Sequence, residues 1–464
     1  MCIKENTIKS TEKYLKELGI TIIESTSREK ENLFTLVGYT IVKEGDKVPE
    51  VSACITKEAG IGVQKVLSSK AKENKTNYSL LIIDDKEKSK YWYDSKTMLP
   101  IKEPKFESEF PYLIKKEDIE TKILSLLNDI STAIRPFTTM ELILDTLLIR
   151  TYLKDKGELN KWNNIKPSDL IKLLKETKEH YNLNFNEYEI KEDYLFKIIN
   201  ELKNLPPKSD IYPKVFISVL ERANTKDIGM YTTTRNLIDI IKKIIKSINI
   251  TKGKILDLSS GLAFILMEIK KESIGEKYLG LEINKEISQL SKIVTIISGH
   301  NDIDIENTDT LLYDEGEKYD LTFIEPPMGP TTLQDKYKDY DITKNGKRKR
   351  IDYSELFIEK AIRLTKEQGH IISIVPEGIL SSSKSQITRD LIQNKTFIKG
   401  IISLPPHVLR PYSGTKLSVL ILQKKRDNLD TPKNFFAGKI ENLDDEKKVI
   451  DEFEKWINGG DNIG

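Results

Sequence analysis

Residues 211–430 predict an α/β domain with a mostly parallel sheet covered by helices. Two observations carry that expectation. Apolar strand-like runs alternate with helical patterns through this stretch, as in strands joined by helical crossovers. One of those runs, Tyr319–Ile324, is followed at once by Glu325-Pro326-Pro327-Met328. Proline cannot donate a ladder hydrogen bond, so the strand must stop there. A stiff loop at the carboxyl end of such a strand lies where open α/β sheets place their ligands. On these residues alone it is either a ligand loop or an ordinary strand stop.

The elements follow in order. Lys254–Asp257 reads as a strand, and a helix begins within 261–270. Residues 278–282 are strand-like and 284–298 helical; after the Pro-Pro loop come a helix over 354–365 and strands over 370–375, 399–404 and 417–423. Residues 116–210 predict a helical domain. There Ile119, Ile123, Leu126, Leu127 and Ile130 keep helical spacing, as do later stripes such as Tyr194, Ile198, Ile199 and Leu202. Leu205-Pro206-Pro207 punctuates its end. Residues 1–115 predict a small α/β module with strands at Leu33–Val42, 51–56 and Tyr78–Ile83 and a helix over 61–75. Its order resembles restriction-type nuclease folds, but the position two residues before Lys57, where such a site wants an acid, holds Ile55. An accessory or docking role is therefore expected of it. In residues 431–464, Val449, Ile450, Phe453, Trp456 and Ile457 form one apolar stripe, which packs on its own body or on a partner.

Bulk properties set limits. The 464 residues suggest about three domains. Lys and Arg total 74 against 72 acids, so overall charge argues neither for nor against nucleic acid. Two cysteines, Cys2 and Cys54, cannot build a disulfide framework and fit a reducing compartment. Nothing at the start reads as an apolar signal, and no run reaches the ~18 apolar residues that would span a bilayer, so a cytoplasmic protein with no membrane partner is expected.

The chemistry-bearing residues come in series. Asp257-Leu258-Ser259-Ser260-Gly261-Leu262-Ala263 joins the first strand to its helix with small residues that let a ligand approach the backbone. A dinucleotide site would want three glycines in G-x-G-x-x-G spacing, and this loop has Gly261 alone, which argues against NAD. The next strand ends in Glu282, a carboxylate suited to the two donors of a ribose diol. Asp309 precedes the Tyr319–Ile324 strand and can accept from an exocyclic adenine amine.

This ordered series resembles the S-adenosylmethionine-dependent amino-methyltransferases. More narrowly, it resembles the N-6 adenine DNA methylase family, in particular the modification subunits of type I restriction–modification systems. Tyr231-Thr232-Thr233-Thr234-Arg235 is similar to the family's tyrosine-threonine-proline-arginine segment, and 257–266 to its glycine-containing donor loop. Gly280-Leu281-Glu282-Ile283-Asn284 and Asp309 match its next two acids, and Glu325-Pro326-Pro327-Met328 sits at its Asn-Pro-Pro-aromatic loop. Val375-Pro376-Glu377-Gly378, Leu404-Pro405-Pro406-His407 and Ser413-Gly414-Thr415-Lys416 match later motifs. The resemblance implies a Rossmann-like methyltransferase fold that binds S-adenosylmethionine through Tyr231, Thr232, Asp257, Ser259, Gly261, Glu282 and Asp309. It implies transfer of the methyl to adenine N6 of double-stranded DNA at Glu325, Pro326, Pro327 and Met328, without a metal. With no long downstream domain after the last strand, it also implies a separate specificity subunit.

Several residues depart from the family pattern. Glu325 replaces Asn; a carboxylate still accepts from an amine but carries charge into a closed pocket. Met328 replaces the aromatic, forgoing about 1–3 kcal/mol of base stacking. Leu262 and Ala263 replace Ser and Gly, and Thr233 or Thr234 replaces Pro. Two readings follow: an adenine-N6 DNA methyltransferase, or a non-catalytic methyltransferase-like subunit that binds DNA or a partner. Lys344, Lys347, Arg348, Lys349 and Arg350 follow the Pro-Pro loop and either contact DNA phosphates or form a solvated run.

Overall fold

The computed structural model describes residues 5–20, 22–30, 33–42, 46–57, 61–85, 88–104, 116–131, 134–185, 191–203, 205–222, 233–250, 252–314, 316–344, 349–406, 408, 415–426 and 434–459. They form two compact units, residues 1–119 and 120–464. The first unit holds a sheet in the order β1 (Ile22–Lys30), β2 (Leu33–Val42), β3 (Asp46–Thr56), β4 (Tyr78–Ile83), β5 (Lys90–Asp94). Only β3 and β4 run parallel, joined by the helix Ile61–Asn74. Strand side chains alternate between faces. Val51, Ala53 and Ile55 of β3 therefore pack with Leu80, Ile82 and Leu15, while Cys54 packs with Leu67 and Leu81. Ile55 is completely buried, so the position where a nuclease-type site wants an acid is a core side chain.

The second unit is built on one large sheet. Its strands are β6 (Lys254–Asp257), β7 (Lys277–Glu282), β8 (Ile303–Asn307), β9 (Tyr319–Ile324), β12 (Thr365–Pro376), β13 (Thr396–Ser403), β14 (Leu417–Lys424) and β15 (Phe436–Lys439). A hairpin of β10 (Thr331–Leu333) and β11 (Arg350–Asp352) stands apart from it. The spatial order is β15-β13-β14-β12-β9-β6-β7-β8. Only β14 runs against the rest, antiparallel to both β12 and β13. The chain starts at β6, steps outward to β7 and β8, then returns to the other flank of β6 as β9. This reversal leaves a crevice beyond the carboxyl ends of β6 and β9. The core under it is closed by Leu256, Leu281, Ile324, Leu356, Ile371 and Leu420. Each such side chain contributes roughly 1.5–3 kcal/mol when buried, which makes this floor rigid.

Local chemistry sets the ends of the elements. Proline stops β9 at Ile324, as expected. Asn284 caps the helix Lys285–Ile297, its side chain accepting from the N–H groups of Glu286 (2.9 Å) and Ile287 (3.1 Å). Two strands escape the sequence pattern: β8 has only two apolar residues, Ile303 and Ile305, and β15 is a short edge strand. The C-terminal helix Leu443–Asn458 packs on β15 and on the helix Arg235–Ser247, with Val449, Ile450 and Phe453 buried. Its apolar stripe therefore faces its own body.

The helices Lys116–Ser131, Pro136–Asp155, Pro167–His180 and Glu192–Leu202 precede the sheet. Pro136–Asp155 packs against Lys285–Ile297, which ties them to the sheet layer. A buried ion pair, Lys178–Asp145 at 2.6 Å, and the Arg150 guanidinium on the carbonyls of Leu202 and Leu205 hold this layer together. Losing one partner would strand a charge in the interior.

Gly280 in β7 has no room for a side chain: a Cβ there would lie 2.6 Å from Ser260 Cβ and 2.9 Å from Ile305 Cδ1. Gly280→Ala is expected to cost about 1–3 kcal/mol in urea denaturation. By displacing Ser260 it should also weaken ligand binding at the loop after β6.

Candidate active site

Two loops meet at the crevice. The loop after β6 begins with Asp257, 2% exposed, whose Oδ1 accepts from the N–H of Ser259 at 3.0 Å. Ser260 N–H donates to the Leu281 carbonyl at 2.9 Å, which pins the loop to β7. Gly261 takes φ +51° with open space above it, a cradle where a ligand can approach the backbone. Ala263 stands in the left-handed region at φ +60°. A non-glycine residue costs about 1–2 kcal/mol there, so the family's glycine at this position has a conformational reason.

The loop after β9 is held by the first loop. Ser259 Oγ donates to the Glu325 carbonyl at 2.9 Å, and the Glu325 N–H points back to Ser259 Oγ at 3.3 Å. On the other side, the Thr233 hydroxyl donates to Glu325 Oε2. Pro326 is buried, Pro327 exposed and Met328 half-buried. Glu282 ends β7 with Oε2 taking the Gly261 N–H (3.1 Å) and Oε1 the Asn284 N–H (2.8 Å). Each oxygen keeps a lone pair for a further donor such as a hydroxyl. Asp309 accepts from Leu311 N–H at 3.0 Å and, more weakly, from the Tyr337 hydroxyl at 3.4 Å.

The expected site residues are thus largely brought together: Asp257, Ser259 and Glu325 through one set of hydrogen bonds, Gly261 and Glu282 through another in the same loop, and Asp309 beyond the next strand end. Tyr231, Thr232, Lys347 and Arg348 lie outside the described residues. Of the remaining cations, Lys344 is exposed but paired with Asp341 at 2.6 Å. The Arg350 guanidinium braces the β10–β11 hairpin on Thr331, at 2.7 Å to Oγ1 and 2.8 Å to the carbonyl, and Lys349 is exposed. Sequence reasoning misses three contributors. Thr233 stands out in the sequence only as a missing proline. Ile283, 68% exposed, follows Glu282 directly, and Leu312, 69% exposed, stands three residues after Asp309; both offer apolar surface near the strand ends. An apolar residue within three positions of a strand-end acid is the signal that could have found Ile283 and Leu312.

The acids share one field. Burial, then the charges of Glu325 and Glu282, push Asp257 up to about 8, against the lowering pull of the Ser259 N–H. Burial raises Glu325 to about 6, with Thr233 pulling it down, and burial also raises Glu282 against its backbone donors. A site that holds three carboxyls at such cost fits a ligand bearing positive charge and hydroxyl donors.

Comparison with known proteins identifies the family. The family model of the N-6 DNA methylases matches residues 208–455, more than half of the chain. The chain belongs to the N-6 DNA methylase family. No curated protein sequence matches it. Among solved structures, a modification subunit of a type I restriction enzyme from Vibrio vulnificus is 12% identical, with 75% of this chain and 90% of that one covered and a TM-score of 0.55. A protein of Listeria monocytogenes described as a class I S-adenosylmethionine-dependent methyltransferase is 18% identical, with 74% and 100% covered and a TM-score of 0.53. At such identities the likeness is one of fold: this methylase has the fold of S-adenosylmethionine-dependent methyltransferases. Its cofactor is S-adenosylmethionine, and its family chemistry is methylation of adenine N6 in DNA. No helix among the described residues is long and apolar enough to cross a membrane.

The cofactor fits the observed residues. Glu282 retains acceptors for the ribose diol, the open side of Gly261 leaves room at the loop, and the acids around Asp257 match its sulfonium charge. Because the folded value of Asp257 lies above its ordinary 3.8, ionising it costs the unliganded fold stability as pH rises toward 8. A cationic ligand that favours the ionised form recovers that cost. Calorimetric affinity for S-adenosylmethionine is therefore expected to rise about tenfold per pH unit from pH 6 to 8. Asp257→Asn should flatten the dependence.

Proposed function

We propose that this chain transfers a methyl group to adenine N6 of double-stranded DNA, with Glu325, Pro326, Pro327 and Met328 as the base-holding loop. When bound, S-adenosylmethionine supplies an electrophilic methyl. Tyr231, Thr232, Asp257, Ser259, Gly261, Glu282 and Asp309 hold it, with Ile283 and Leu312 as apolar walls for its adenine. The Glu325 side chain and the Pro326 carbonyl accept from the substrate amine and aim its lone pair. The base must leave the duplex to reach them. Exposed Lys344 and Lys349, with Lys347 and Arg348, meet phosphates near the flipped base, while Arg350 braces the hairpin that closes this segment. A separate DNA-reading subunit supplies sequence specificity.

The observation that carries this reading is the Ser259 hydroxyl between the two loops. It ties the loop that holds the donor to the backbone of the residue that meets the amine, within hydrogen-bond distance of both its carbonyl and its N–H. The presence of Met328 instead of an aromatic favours a second reading, a non-catalytic subunit that binds DNA through the same fold.

Transfer of labelled methyl to adenine in duplex DNA separates the two. Native protein with its DNA-reading partner should label adenine, and Pro326→Ala and Asp257→Ala should each lower the rate about 100-fold or more. Absence of both cofactor binding and transfer with duplex and partner present would favour the non-catalytic reading. Transfer that persisted in both variants would mean the reacting loop lies elsewhere.

A further inference from the structure

Glu325 departs from the family pattern, as does one of Thr233 and Thr234, and Thr233 touches Glu325. The Thr233 hydroxyl, just ahead of the helix Arg235–Ser247, donates to Glu325 Oε2. A proline in this stretch would have no hydroxyl to offer. The neighbouring Thr234 donates to the Val408 carbonyl at 3.0 Å, so the stretch is anchored on two sides. Ser259 clamps the backbone of Glu325 from the opposite side. The carboxylate is therefore held at one oxygen, while Oε1 has no hydrogen-bond partner among the described residues. An asparagine presents a single neutral acceptor; a carboxylate held this way also presents one, but it can take a proton.

We infer that Thr233 is a positioning residue that fixes one oxygen of Glu325 and leaves the other to take the proton of the substrate amine. This rests on the methyl-transfer reading above. As the amine lone pair forms the new N–C bond, the methyl's bond to sulfur breaks and its electron pair stays on sulfur. The nitrogen then carries one proton too many. That proton passes to Glu325, and the N–H electron pair remains on nitrogen. No further reactant is needed.

Among the described residues, few charged groups surround Glu325. Asp257, at the end of β6, is coupled to it, and Glu282, at the end of β7, acts on Asp257 in turn. Beyond Thr234 lie Arg235 and Glu221, whose carboxylate takes the Arg235 N–H at 2.7 Å. Of the described residues of the loop after β13, Leu404, Pro405, Pro406, Val408 and Thr415 bring no charge, and Lys416 is exposed at its far end. Against the burial that raises Glu325 to about 6, Thr233 is the group that pulls it down, keeping it ionised at neutral pH.

The test reads the carboxyl directly. Carbon-13 NMR of labelled Glu325, assigned with Glu325→Gln, should show a titration midpoint near 6 in the native protein. It should be higher in Thr233→Val and restored in Thr233→Ser. The acid limb of the methyl-transfer pH profile should move with it, lowering the rate at pH 6 about fivefold for the first unit of displacement and about tenfold for each further unit. In Glu325→Gln that limb should disappear. An unmoved midpoint in a folded Thr233→Val protein overturns the inference. If Thr233→Val does not fold, an acid limb that persists near 6 in Glu325→Gln overturns it instead. A midpoint that moves as expected in a protein that transfers no methyl at any pH leaves the pairing intact and overturns the transfer reading.

Discussion

The second unit depends on one topological constraint: β6 has β7 on one side and β9 on the other, although the chain visits β8 between them. A parallel sheet that reverses its winding at one strand cannot cover the carboxyl ends of that strand and its late neighbour with the same helical layer. The gap is filled by loops, and here the loops fill it with each other. Ser259 bonds to the backbone of Glu325, Ser260 to β7, and Thr310 Oγ1 to the Leu258 carbonyl at 2.7 Å. The site is precise because the strands beneath it are rigid and the hydroxyls above them are short.

Electrostatics are the second organising feature. Asp257 is almost without solvent and stands near two other carboxylates. Such an arrangement weakens an empty fold and favours a cationic guest. The cost sits at the site and is offset elsewhere, by the closed core under the sheet and by the helical layer docked through Pro136–Asp155. This is the usual relation between a functional pocket and its scaffold. The hairpin β10–β11 adds a further link, because the insertion it closes carries Tyr337 and Tyr340, which reach Asp309 and the Leu311 carbonyl. The segment that follows the Pro-Pro loop therefore touches the acid at the end of the third strand position.

Much of the domain was legible from local pattern. Apolar runs at 254–257, 278–282 and 319–324 announced strands because they are buried on both faces and need no polar alternation. The Pro-Pro loop was legible because two prolines in succession end a ladder whatever surrounds them. Asp257 and Glu282 were legible because a carboxylate breaks an apolar run at a point the eye can find. Where the pattern was weak, reading failed for a physical reason. The Ile-Asp-Ile-Glu-Asn run of β8 is half exposed, and β15 is an edge strand stabilised by β13 and the C-terminal helix rather than by its own residues. The apolar stripe of that helix could not be assigned to self or partner, since periodicity says which face is buried but not against what.

The sequence by itself determined the order of most elements, the series Asp257, Glu282, Asp309 and Glu325, and the departures from a known pattern at Ala263, at Thr233 or Thr234, and at Glu325. It could do so because strand period, proline stops and helix caps are local properties. Only the tertiary structure decided what those departures do. It placed Ala263 at a left-handed φ, made Ile55 core, and committed Arg350 to its own hairpin. It also brought Thr233 onto Glu325 across 92 positions of chain. Contacts of that separation depend on which strands lie side by side, and that is set by the closing of the whole sheet, not by any stretch of residues read alone.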